Sequence, residues 1–286
     1  MIGNIFLDLF HYLVLVLEST LFHLLLLFGP VLLLAFVMNM ISKHTTRIGS
    51  QLLGEKVYLY GFASIGTAVH ELGHAVFAIV FAHKIEKMVL FSPNNHDGTL
   101  GYVNHSYNKK SIYQNIGNFF IGIGPVIFGP IIISIIVYLL AGRSIIAISG
   151  FEINLNDIRN FNDFKVLLSG VTTGFVQTAG FIFTLFSTSF LKAILLFYFI
   201  FSIGSSVTLS MPDIKGAKQG LYFFVILLLL FNLVTLWLGD IAGSIISVLV
   251  AGSYSILIIL IFSISTTLIV NVILWMLLKI KRGLFR

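Results

Sequence analysis

Apolar runs long enough to cross a bilayer follow one another along almost the whole chain. They cover roughly residues 10–41, 57–82, 119–141, 166–210, 222–238 and 241–278. A membrane-spanning helix needs about 20 mostly apolar residues. The chain has 286 residues, of which 58% are hydrophobic and 10% charged, and its mean hydropathy is +1.03. An ordinary soluble domain carries about 25% charged residues. The expected fold is an all-α multi-pass membrane protein forming one polytopic domain over residues 1–286. About six transmembrane helices are expected, or seven or eight if residues 166–210 cross twice.

The polar segments between the runs refine this. The longest is HKIEKMVLFSPNNHDGTLGYVNHSYNKKSIYQN, in which MVLF and TLGYV flank SPNNHDG. Pro, Asn, Asp and Gly between two β-prone stretches predict a hairpin after the second span. Such a hairpin can offer an edge strand to an extended peptide. In the third run, Gly122, Gly124, Pro125, Gly129 and Pro130 predict close helix packing and a bend, and Pro30 predicts a kink in the first.

The net charge of +6 comes from basic residues between apolar runs. In a membrane protein such placement sets topology and does not indicate nucleic-acid binding. Lys84, Lys87, Lys109, Lys110 and the C-terminal KIKRGLFR, placed in the cytoplasm, are consistent with six spans and both termini inside. The connector with Lys43, Arg47 and Lys56 then faces outward. The residues before the first run lack a basic n-region, so that run is expected to remain in the mature protein. The chain has no cysteine, which excludes disulfides, thiol nucleophiles and cysteine-held metals.

Within the second run stands GTAVHELGHAVFAIVF, residues 66–81. A buried glutamate at membrane depth costs about 2.5–3.5 kcal/mol on insertion scales, so an intramembrane acid marks a functional site by default. His70, Glu71 and His74 match H-E-x-x-H. On a helix, i and i+4 share a face, so two imidazoles can hold one Zn²⁺ while Glu71 serves as general base in peptide hydrolysis. Zinc needs a third protein ligand. The metzincin extension requires Gly and His where this chain has Phe77 and Val80. Asp213, in SMPDIKGA after a span end, is the preferred third ligand, with Pro212 and Gly216 expected to unwind the backbone around it. Glu18, His23 and Glu86 are the alternatives. Glu18 and His23 otherwise read as bundle-interior polar groups. His83, His96 and His105 read as surface residues, since their spacing suggests no ligand set.

HELGH in an early span, with a distant Asp beside a Pro- and Gly-containing helix break, resembles the site-2 protease family of intramembrane zinc metalloproteases. The resemblance implies one Zn²⁺ per chain held by His70, His74 and Asp213, with Glu71 as catalytic base and a catalytic core of about residues 57–220. It implies a membrane protein or membrane-anchored peptide as substrate, cut in or near its transmembrane segment, and a bacterial plasma membrane as location. The family's late motif N-x-x-P-x-x-x-L-D-G is replaced here by MPDIKG, which resembles a divergent bacterial branch. No insertion large enough for a PDZ or CBS domain is seen, and GNFFIGIGPVIFGP looks like that branch's third span. Two other readings stand beside it. One is a transporter or channel whose polar residues line an ion path; paired repeats, common in transporters, are not seen here. The other is a metal-free pseudoprotease.

Overall fold

The computed structural model describes residues 2–93, 99–144, 164–238 and 241–284. Seven helices and one two-stranded sheet are found among them, and six of the helices are long and apolar enough to cross a membrane. The protein is therefore multi-pass. The helices are α1 (Ile2–Leu53), α2 (Glu55–Val80), α3 (Ile112–Ala141), α4 (Phe164–Thr188), α5 (Phe190–Gly204), α6 (Met211–Leu238) and α7 (Ile241–Leu284). Residues 166–210 thus form one long helix and one of 15 residues, too short to cross the hydrocarbon core alone. The expected turn residues 94–98, with His96, and residues 145–163 of the loop after α3 lie outside the described residues.

Helix boundaries follow local stops. SKHTTRIGSQLL, expected as a connector, continues α1. The helix runs on through Pro30 and Gly49 and ends only at Gly54, whose φ of 89° is a conformation that only glycine adopts freely. Within α2 the turn Leu59–Ala63 is wound as a π-helix. Its carbonyls at Gly61 and Phe62 accept from Tyr198 Oη and Ser202 Oγ, both at 2.7 Å, tying α2 to α5. The hairpin pairs β1 (Lys84–Val89) with β2 (Tyr102–Ser106) antiparallel, with an irregularity between Ile85 and Lys87. Its strands are KIEKMV and YVNHS, further from the turn than expected. α3 runs unbroken through Pro125 and Pro130.

The core lies where α5 and α7 meet α3, around Ile133, Val137, Leu196, Ile203 and Ile258. Both α5 and α6 pack on α3. α5 covers the C-terminal half of α3, and α6 covers Phe119 and Ile123. Residues 205–210 between them are not helical. Small residues allow the closest approaches, as expected where lipid supplies no hydrophobic drive between helices. A Cβ on Gly73 would fall 2.8 Å from Pro125 Cα, and one on Gly220 would collide with Phe119 N.

α1 and α7 run parallel. Phe22 and Leu26 pack with Val250, and Ile48 packs with Leu274 and Leu278. Lys281 Nζ and Arg282 Nη2 donate to Leu52 O and Gln51 Oε1. Lys43, Arg47 and Lys56 therefore lie toward the same end of the bundle as the end of α7, not the opposite end as expected. The start of α1 and the end of α7 thus point to opposite ends of this helix pair. Basic residues mark segments, but the pairing of helices far apart in sequence decides which segments share an end.

Candidate metal centre

His70 and His74 sit one turn apart on α2, and each ring is oriented by a backbone carbonyl that its own helix bonds do not use. His74 Nδ1 donates to Ile121 O at 2.7 Å. In a regular helix that carbonyl would accept from the N–H of residue 125, but residue 125 is proline and has none. His70 Nδ1 donates to Ser206 O, also at 2.7 Å, in the non-helical segment before α6. A carbonyl can only accept, so both Nδ1 atoms carry a proton, and in the neutral rings both Nε2 atoms are lone pairs.

Those lone pairs face each other at 3.3 Å. Asp213 Oδ1 lies 3.2 Å from His74 Nε2 and Oδ2 lies 3.9 Å from His70 Nε2. One ligand atom from each of the three residues lies within 4.8 Å of the others. Three acceptors converging without a donor repel one another unless a cation or a proton sits among them. Two imidazole nitrogens and one carboxylate oxygen, with each histidine held by a backbone acceptor, fit the donor set and outer shell of a zinc site with a position left open. These three residues could hold a metal ion.

Asp213 is placed by a helix start, not by an unwound stretch as expected. Ser210 N donates to Asp213 Oδ2 at 2.8 Å, and Asp213 N to Ser210 Oγ at 3.3 Å. This reciprocal pair is a capping box. Pro212 falls in the first turn, where its missing N–H costs nothing, and Gly216 is helical. The S-x-x-D pattern at 210–213 was the sequence signal for this start. A Cβ on Gly122 would fall 2.6 Å from Asp213 O, so α3 and α6 touch at the ligand itself.

Glu71 is 7% exposed and lines the same cavity as the three ligands, with a volume of about 690 Å³. The hairpin closes over it: a Cβ on Gly101 would fall 2.7 Å from Glu71 Cγ. Tyr102 to His105 of the hairpin, Ser42 and Thr46 of α1 and Tyr58 of α2 complete much of the wall.

The alternative ligands lie elsewhere. Glu18 is on the exposed side of α1. His23 Nδ1 lies 3.1 Å from Asn232 Oδ1, and Asn232 Nδ2 donates to Thr20 Oγ1, so this group ties α1 to α6. Glu86 is exposed on β1, 3.2 Å from Lys84 Nζ. His83 and His105 depart from expectation. His83 is buried, and its Nε2 donates to Gln114 O at 2.8 Å. Its Nδ1 must then accept, so His105 Nδ1 donates across 2.9 Å. Tyr107 stacks on His83, and His105 lines the cavity. Burial holds both imidazoles below their ordinary range, and for His105 the neighbouring His83 and His74 push the same way. Only the strand register, which pairs Ile85 with His105, brings these histidines together.

Comparison of the chain with protein-family models, with curated proteins and with solved structures finds no match.

Proposed function

We propose that this chain is a zinc-dependent intramembrane endopeptidase of the site-2 protease type, acting in a bacterial plasma membrane on a transmembrane segment or membrane-anchored peptide. The observation that carries the reading is the set of bare acceptors of His70, His74 and Asp213 converging within a bundle of membrane-length helices. When bound there, zinc supplies Lewis acidity toward a peptide carbonyl and toward water. The rest falls to the chain's own groups. The cavity admits an extended segment beside Glu71. The Glu71 carboxylate takes a proton from water as the oxygen attacks the carbonyl carbon. It then gives that proton to the amine as the C–N bond breaks.

Purified protein should contain one zinc per chain, lost in His74→Ala and in Asp213→Ala. Glu71→Gln should keep the zinc and lose cleavage of a membrane-anchored reporter peptide by about 10²–10⁴-fold. Full activity in Glu71→Gln sinks the mechanism. Protein that carries no zinc and cuts nothing favours an ion path instead.

A further inference from the structure

Asn118 stands one turn before Ile121 and Gly122 on α3, the residues that meet His74 and Asp213. It lines the cavity shared by Glu71 and the three ligands, and only 7% of it is exposed. Its amide nitrogen has no hydrogen-bond partner. A buried donor left unpaired destabilises a fold, and nearly all such groups are paired.

The other asparagines of the packed interior follow that rule. Asn115 donates to Lys109 O and Ser111 O, and Asn232 bridges His23 and Thr20. Among the described residues, one other buried side-chain atom lacks a partner, Ser263 Oγ. It lies where α7 presses on Gly204, and Ser263 is not part of the cavity wall. Asn118 is thus the unpaired amide at the place where a ligand would lie.

We propose that Asn118 binds the backbone of an extended polypeptide in this cavity, its amide donating to a peptide carbonyl next to the scissile one. This rests on the endopeptidase reading. A segment that leaves its helix to be cut exposes carbonyls that have lost their partners, and in a site walled off by protein each must find a new one. A neutral amide meets that need without burying a charge. Helical side chains lean toward the N-terminus of their helix. Asn118 therefore reaches away from the metal ligands, and the carbonyl it takes is a neighbour of the reacting one. Tyr102 to His105 of β2 line the same cavity.

The test uses full-length protein in nanodiscs. In the Glu71→Gln background, N118L should weaken binding of a fluorescent transmembrane peptide by about 3- to 10-fold, the worth of one neutral hydrogen bond. Zinc content should not change, and the melting temperature should stay level or rise, because an unpaired buried amide has been removed. Replacing single backbone amides of the peptide by esters, which accept more weakly, should reveal one position that matters to the Asn118 protein and not to N118L. Equal binding by both proteins overturns the inference and leaves water as the amide's partner. A melting temperature several degrees lower overturns it in favour of a structural role. If the chain with Glu71 intact never cleaves yet binds through Asn118, backbone binding stands and the endopeptidase reading falls.

Discussion

Pro125 sets the orientation of His74. A proline inside a helix normally costs about 3 kcal/mol, through a lost hydrogen bond and a ring clash. Here the carbonyl left over at Ile121 accepts from His74 Nδ1. Pro125→Ala restores a backbone N–H that competes for that carbonyl. The expected result is a tighter helix and a zinc affinity lowered by about 10- to 100-fold, as for lost outer-shell partners, measured by chelator competition. Unchanged affinity would show that the ring needs no such acceptor. The histidine pair and Glu71 were legible in the sequence because their spacing alone places them on a helix. The carbonyls that orient the pair were not, since Ile121 O and Ser206 O carry no side-chain signature; one is freed by a proline, and the other lies in a non-helical turn far along the chain, where Thr208 N also donates to it. Asp213 could be nominated from the sequence, but its approach depends on Gly122 of a different helix.

Elements meet at glycines whose neighbours leave no room for a methyl group. Gly101 on the hairpin abuts Glu71, and Gly122 on α3 abuts Asp213. Their alanine variants should separate two effects. Gly101→Ala should retain zinc and lower kcat by about 10²-fold, the scale for a misplacement of about 1 Å. Gly122→Ala should lose zinc, because the added carbon meets backbone that cannot swing aside. Zinc loss in both would mean that the hairpin supports the ligands as well. The hairpin itself is anchored by the neutral His83–His105 pair and the Gln114 carbonyl. Folding lowers the pKa of both histidines, so the neutral pair stabilises docking fully above the unfolded value of about 6.5 and loses that contribution as pH falls through the lower folded values. Hydrogen exchange in Lys84–Val89 should accelerate as pH is lowered from 8 to 5, after correction for intrinsic rates, and His83→Gln should flatten the dependence. The hairpin's existence was legible from SPNNHDG between β-prone runs. Its histidine contact was not, because that depends on register.

At the scale of the whole molecule, the parallel pairing of α1 with α7 places Lys43, Arg47 and Lys56 toward the end where Lys281 and Arg282 bond α1. Counting basic residues along the chain had separated these groups. The count was sound for each loop, but it could not see that a 52-residue first helix and a 44-residue last helix run side by side in one direction. Cysteines placed at Ile48 and Leu274 should cross-link, and cysteines at Ile48 and Val250 should not. The reverse result would break the pairing. The six long spans, in contrast, were readable from apolar length alone, and the ambiguous 166–210 stretch resolved into one long helix and a 15-residue one that ends at Gly204, two residues before Ser206, the partner of His70.

The distance along the chain between His70 and the segment that holds it, 136 residues at Ser206, has a consequence for biogenesis. Ribosomal synthesis delivers HELGH early and Asp213 late, with α3, α4 and α5 still to be threaded into the bilayer between them. Until residues 206–213 arrive, the nascent chain carries two histidines and a glutamate without Asp213 and without the Ser206 carbonyl that aims His70. A site built this way is incomplete throughout the chain's own insertion and comes together only once its late helices have docked.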